Sequence, residues 1–331
     1  MNVLITGGCG FIGSNLVKFL RRERPAWKIV NLDKLTYAGN LDNLKELEGD
    51  PSYEFVRGDV GNLELVEHLI VRHRIDAVMH LAAESHVDRS IRGPERFIES
   101  NVLGTQRLLE ASWHAGVSRF LMVSTDEVYG SLEATDAFSE ASPLRPSSPY
   151  SASKASGDLL ALAYHRTFKL DVVVTRSSNN YGPYQFPEKL IPLMIIQALH
   201  DEPLPVYGDG NHVRDWLHVD DHCRALLDAL EKGSAGAVYN IGVGAERKNI
   251  DVVKAVLALL GKPESLITFV EDRPGHDRRY AIDASKAKGE LGWMPERTFE
   301  EGLRETVAWY VENQTWWERV LSGAYRNDAQ Q

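Results

Sequence analysis

Apolar and polar positions follow two rhythms in the first half of the chain. Short apolar runs at 3–6, 29–33, 54–57, 77–81 and 119–124 have the length and composition of buried strands. Between them, residues 11–22, 41–47, 63–72 and 94–114 read as helices. Strands alternating with helices predict parallel pairing through right-handed crossovers, with both sheet faces covered. Pro149 leads into a long helical stretch at 150–168, and a strand follows at 172–175. From Ser177 the rhythm breaks, with a turn-rich stretch at 179–183 and then Pro187, Pro192, Pro203 and Pro205. Residues 216–219 and 237–241 read as further strands returning to the first sheet, and 251–260 and 299–312 as helices. The expectation is a large domain of residues 1–178 plus about 212–243, and a smaller one of about 179–211 plus 244–331. Ligand would lie between them, at the carboxyl ends of the strands.

Composition narrows the function classes. The chain has 331 residues, 43% hydrophobic and 25% charged, and can bury a large core without staples. Its two cysteines, Cys9 and Cys223, exclude a disulfide framework and a multi-cysteine zinc site. No apolar run approaches the roughly 20 residues of a membrane span. No basic region precedes Val3, so no signal peptide is visible and a cytoplasmic protein is expected. The net charge of −10 disfavours nucleic acid and anionic membranes as partners. An anionic ligand would need arginines and lysines gathered locally at its site.

Thr6-Gly7-Gly8-Cys9-Gly10-Phe11-Ile12-Gly13 joins the first strand to the first helix. It fits the dinucleotide fingerprint, whose glycines let backbone approach a pyrophosphate at a helix N-terminus. Asp33 lies 20 residues past Gly13 at the end of the second strand. An acid there hydrogen-bonds ribose hydroxyls and repels a 2′-phosphate, which favours NAD over NADP. The expected fold is therefore α/β, a Rossmann-type doubly wound parallel sheet with a smaller, partly discontinuous α+β substrate domain. Asp59, after the third strand, is placed either to reach the adenine or to cap a helix.

Tyr150 and Lys154 stand four apart on one helix face. A free tyrosine titrates near 10, so it needs close cations, the lysine and a nicotinamide ring, to act as a base at neutral pH. Tyr-x-x-x-Lys alone is common in helices, and the upstream glycine loop is what makes it specific. Thr125 ends the fifth strand and would hold a substrate oxygen. Asp126 and Glu127 follow it. Adjacent carboxyls disfavour double ionisation, so one can act as acid and the other as base in removing water beside a ketone. The same pair, by itself, also suits a plain helix start.

The tyrosine, lysine and glycine loop resemble the extended, sugar-nucleotide branch of the short-chain dehydrogenase/reductase superfamily. LDKLTYAGN at 32–40, HLAAESHVDRS at 80–90, SNNYGPY at 178–184, FPEKLIP at 186–192, RDWLHV at 214–219 and DRPGHDRRY at 272–280 resemble the dTDP-glucose 4,6-dehydratase family in particular. Cys9 stands where that family usually has alanine. The resemblance implies NAD that stays bound and is regenerated each turnover. It implies that Tyr150 deprotonates the glucose 4-hydroxyl as hydride leaves C4. Glu127 then takes the C5 proton, Asp126 protonates the departing C6 hydroxyl, and hydride returns to C6.

Further positions enter by the same resemblance. On the cofactor side are Gly7, Gly10, Phe11, Ile12, Gly13, Asp33, Lys34, Leu35 and Thr36. Asp59, Val60, Leu81, Ala82, Ala83, Ser85, Ser100 and Asn180 join them. Ser85, Thr125 and Asn179 would meet sugar or phosphate. Lys189, Leu190, Arg214, Asn249, Asp272, Arg273 and His276 would hold the nucleotide diphosphate, with Pro205, Val206 and Tyr207 near the base. A homodimer through helices near 94–114 and 150–168 is also implied. His218 and His222 read as an exposed helix start, and no metal is expected. Trp309, Trp316 and Trp317 read as packing aromatics. A 4-epimerase, using Tyr150 and Lys154 without the acid pair, and a silent NAD-binding scaffold are the rival readings.

Overall fold

The alternation of apolar side chains explains why the first half closes into a sheet with two cores. In β1 (Asn2–Thr6), Val3 and Ile5 face one way, onto Leu16, Val17 and Leu20 of the helix Phe11–Glu23. Leu4 faces the other way, into a core with Leu69, Leu108 and Phe120. Each such fully buried aliphatic side chain contributes about 1.5–3 kcal/mol. The computed structural model describes residues 1–133 and 135–328.

The remaining strands are β2 (Lys28–Asp33), β3 (Tyr53–Arg57), β4 (Ala77–His80), β5 (Arg119–Thr125), β6 (Val172–Ser177), β7 (Asn179–Tyr181), β8 (Leu204–Tyr207), β9 (Val213–His218), β10 (Val238–Ile241), β11 (Glu246–Lys248) and β12 (Ile267–Val270). Seven of them form one parallel sheet in the order β10-β6-β5-β4-β1-β2-β3. The order reverses between β1 and β4, and a crevice opens at the carboxyl ends there. Helices Phe11–Glu23 and Val219–Lys232 pack together on one face, and Leu63–His73, Thr105–His114 and Pro149–Phe168 cover the other. Ser148 closes a capping box with Ser151, and Pro149 sits in the first turn, so the helix start that presents Tyr150 is fixed locally.

A second core gathers Ile191, Met194, Trp216, Val256, Leu303 and Tyr310. It surrounds a three-stranded sheet, β11-β9-β7, and a parallel pair, β8 with β12. Trp317 is buried there, and Trp309 and Trp316 stack around Tyr184, the packing role expected of them. Among the described residues no helix is long and apolar enough to cross a membrane.

Three local expectations need correction. Leu41–Leu47 is a 3₁₀ segment kinked at Leu44, because seven residues are too few to propagate an α-helix unaided. The stretch at 94–114 contains a π-helical segment, Ile98–Gly104. That wider turn lets Asn101 bond both backbone atoms of Glu84 and the Ser153 hydroxyl. The strand expected at 216–219 is β9, and it lies in the second sheet rather than the first. Only Ser178 separates β6 from β7, and β7 carries β9 away as its parallel partner. The strand near 237–241 does join the first sheet, as β10 beside β6.

Candidate active site

The glycine loop is shaped for a close ligand. Gly7 has φ +74°, and a Cβ there would sit 2.7 Å from the Ala82 backbone nitrogen. At Gly13 a Cβ would lie 2.1 Å from the Gly7 carbonyl oxygen. The helix that follows has no side-chain cap and no acid in its first turn. Its leading N–H groups and positive dipole end are left for an anion, as a dinucleotide pyrophosphate requires.

One cleft runs from this loop to the helix Pro149–Phe168. Gly7, Gly10, Phe11, Ile12, Gly13, Asp33, Lys34, Thr36, Asp59, Val60, Leu81, Ala82, Ala83, Ser85, Ser100, Tyr150 and Lys154 all line it, as does Lys189. Leu35 and Asn180 do not. Leu35 turns with φ +55° toward a second, more open cavity, and Asn180 engages His222 at 2.8 Å. Asp33 is buried, and its two oxygens accept from the N–H groups of Cys9 (2.9 Å) and Leu35 (2.8 Å). Burial raises its carboxyl and those two bonds oppose the rise. Asp59 pairs with Lys34 at 2.6 Å, and the helix cap beyond it belongs to Asn62. Tyr37, Glu84 and Phe186 also line the cleft and were not among the expected site residues. All three lie inside the segments that carried the family resemblance, the only trace of them in the sequence.

Where β5 ends, a tight 3₁₀ turn, Asp126–Tyr129, begins. Thr125 Oγ1 accepts from the Glu127 N–H at 3.3 Å and donates to Asp126 Oδ1 at 3.4 Å. Asp126 is 1% exposed, and its Oδ2 finds no hydrogen-bond partner among the described residues. Burial pushes the Asp126 carboxyl well above the usual range, and the charges of Glu127 and Asp215 push it further. Burial also raises Glu127, but Arg273, Arg214 and Lys189 oppose it. Both neighbours rise, but unequally: Asp126 goes well above the usual range, while three cations restrain the rise of Glu127.

The tyrosine differs from expectation. Burial, then Glu127 and Asp126, hold the Tyr150 phenol well above its ordinary value, with only Thr125 opposing among its main neighbours. Lys154 does not offset this, because its Nζ donates to the Val123 carbonyl at 2.8 Å and its own ammonium is lowered by burial to about 8. The protein's own groups raise the phenol where the sequence suggested a lysine would lower it.

The expected basic cluster converges from distant segments. Lys189 is buried, with Nζ 3.3 Å from the Ser85 carbonyl oxygen, and Leu190 begins the helix Leu190–Leu199 beside it. Arg214, on β9, lies over the Tyr280 ring at 4.3 Å and donates to the Asp277 carbonyl. Arg273 reaches Asp88 at 3.2 Å. Pro205, Val206 and Tyr207 form most of β8, and Tyr207 meets His276 edge to face. Asn249 starts the helix Asn249–Leu260 and leaves its side-chain oxygen unpartnered, as does Asn179. Asp272 accepts from His276 at 2.6 Å and sits 3.2 Å from His212. Two donors on one tetrahedral zinc stand about 3.3 Å apart, so the shorter contact is a hydrogen bond. His218 and His222 are buried, against expectation. The helix they begin packs on the main sheet beside Phe11–Glu23; His218 accepts from the Asp220 N–H at its start and His222 bonds Asn180.

The model of the GDP-mannose 4,6 dehydratase family matches residues 4–306. A dTDP-glucose 4,6-dehydratase of Xanthomonas campestris pv. campestris is 57% identical, covering 98% of this chain and 97% of the relative. The solved dTDP-glucose 4,6-dehydratase of Streptomyces venezuelae, with NAD bound, is 50% identical at TM-score 0.94, covering 97% of this chain and all of that one (100%). A UDP-glucose 4-epimerase of Thermotoga maritima is 33% identical at TM-score 0.89, covering 95% of this chain and 100% of that one.

Proposed function

The chain belongs to the GDP-mannose 4,6 dehydratase family and, within it, to the dTDP-glucose 4,6-dehydratases, and from that premise we propose how its residues divide the work. The enzyme is a hydro-lyase that converts dTDP-glucose to dTDP-4-keto-6-deoxyglucose with NAD, a step of deoxysugar biosynthesis. Gly7, Gly10, Gly13 and Asp33 would hold the NAD, in a loop packed so closely on its own backbone that a Cβ at Gly7 or Gly13 would collide with it, and before a helix start left uncapped by side chains. Bound there, NAD supplies the hydride acceptor for C4, a positive ring beside Tyr150, and the hydride returned to C6.

Tyr150 takes the proton of the 4-hydroxyl, with Thr125 aligning the oxygen. The C5 hydrogen is acidic only once C4 is a ketone. Glu127, whose rise on burial Arg273, Arg214 and Lys189 restrain, removes it as the more readily ionised of the pair. Asp126, kept protonated by burial and its acidic neighbours, gives its proton to the C6 hydroxyl so that water leaves. The divergent environments of Asp126 and Glu127 carry this assignment. Lys189, Arg214 and Arg273 bind the diphosphate, supplying the local cations that a chain of charge −10 must concentrate, and His276, its ring lowered by burial to about 4, joins them as a neutral hydrogen-bonding group.

The decisive test is product mass. Purified protein given dTDP-glucose is expected to yield a product lighter by one water; a product of equal mass would mean epimerisation and overturn the assignment of the acid pair.

We divide the chain as residues 1–178 plus about 219–243 for NAD and the rest for the nucleotide sugar, since β9 pairs in the second sheet while the helix Val219–Lys232 and β10 pack on the first. The enzyme acts in the cytoplasm, a reducing compartment that suits two buried, unpaired cysteines. It works as a homodimer. Ile98, Leu103 and Leu159 are exposed apolar side chains on the two helical stretches expected to pair. Leu159→Arg is expected to give a monomer of unchanged thermal midpoint by light scattering, and an intact dimer would discard this face.

A further inference from the structure

Tyr150, Lys154 and Asp158 follow one another at four-residue spacing along the helix Pro149–Phe168, and the third has no part in the chemistry above. Asp158 is fully buried. Its Oδ2 accepts from Arg176 Nε at 2.9 Å, while its Oδ1 has no hydrogen-bond partner among the described residues. Arg176, on β6, donates a second bond to the Tyr129 hydroxyl at 2.8 Å, and that hydroxyl donates to Asn240 Oδ1 on β10 at 2.8 Å. Tyr129 closes the turn that bears Asp126 and Glu127. The chain of bonds therefore ties the lysine helix, the catalytic turn and two strands together behind the site.

A buried ion pair is a weak source of stability, since apolar side chains of similar volume commonly serve as well. The unsatisfied demand lies at Lys154. Its ammonium is buried and donates one recorded bond, to the Val123 carbonyl. From its own helix it faces Tyr150 and Asp158. From β4 it faces His80, held neutral by burial between Thr6 and Thr105. From β6 comes Arg176, a cation already paired, and from the catalytic turn Tyr129, bonded to that arginine. Asp158 is the negative charge among these groups.

We infer that Asp158 is a positioning residue for Lys154: clamped by Arg176, it supplies the buried counter-charge that keeps the ammonium charged and in place during the reaction. This rests on Lys154 being the catalytic ammonium. Burial draws Lys154 down to about 8 even with the charge of Asp158 opposing the fall.

The test pairs two substitutions of opposite sign. Asp158→Asn keeps the shape and removes the charge. The loss of kcat on the alkaline side is then expected to begin about one pH unit lower, with activity several-fold below wild type at pH 8 and close to it at pH 6. Arg176→Gln releases the carboxylate to Lys154, so the same limb is expected to move to higher pH. Superimposable pH profiles in both variants, with only the thermal midpoint lowered, would overturn the inference. Should Asp158→Asn fail to fold, Arg176→Gln decides alone through the direction of its shift. Lys154→Met runs alongside: if it keeps more than a tenth of wild-type kcat, the reading of Lys154 fails and the inference falls with it. If it is inactive while the other profiles are unmoved, only the inference falls.

Discussion

Glu127→Gln is expected to reduce its NAD on mixing with dTDP-glucose and then to stall. The amide matches the carboxylate in size but has no basicity, so the 4-hydroxyl step, which depends on Tyr150, proceeds and the C5 proton stays. Loss of a positioned base costs about 10²- to 10⁴-fold, and overall turnover should fall by that factor. Arg273, Arg214 and Lys189 would still crowd the position, so the sugar's diphosphate remains held. Absorbance of reduced nicotinamide should rise within the first turnover and persist. In heavy water, mass spectrometry should find no deuterium at C5. Exchange at C5 at the wild-type rate would take Glu127 out of its role.

Tyr150→Phe should fail earlier. Without the phenol no group accepts the 4-hydroxyl proton, so neither reduced nicotinamide nor C5 exchange should appear. Turnover should drop by about 10³- to 10⁴-fold. The ring itself packs edge-on to Phe97 at 6.2 Å, and phenylalanine preserves that contact, so the thermal midpoint should hardly change. The two variants together order the reaction, since one stops after hydride transfer and the other before it. Rapid nicotinamide reduction in Tyr150→Phe would remove the tyrosine from the first step.

Much of this architecture is local and therefore legible along the chain. Glycine at 7, 10 and 13 is a demand of backbone geometry, visible as spacing. The apolar alternation of β1 and β5 anticipates two cores because successive strand side chains point to opposite faces. Tyr150 and Lys154 share a helix face by their separation alone. The errors arose where partners are remote. The six residues of β9, three apolar and three ionisable, do not choose a sheet by themselves, and β7 decides. His218 and His222 flank two aspartates in the sequence, yet His218 lies against the Tyr181 ring and His222 bonds Asn180, both on β7.

The sequence by itself determined the sheet, the cofactor loop and the residue types of the reaction, because those follow from periods of two, from helical turns and from glycine's missing side chain. Only the tertiary structure shows what surrounds each carboxyl. Asp126 and Glu127 are neighbours of the same chemistry and both are buried; what separates them is a set of cations brought from 189, 214 and 273 to Glu127, and the negative charges of Glu127 and Asp215 beside Asp126. Charge acts through space, and no local pattern records which distant groups a fold will bring within its reach.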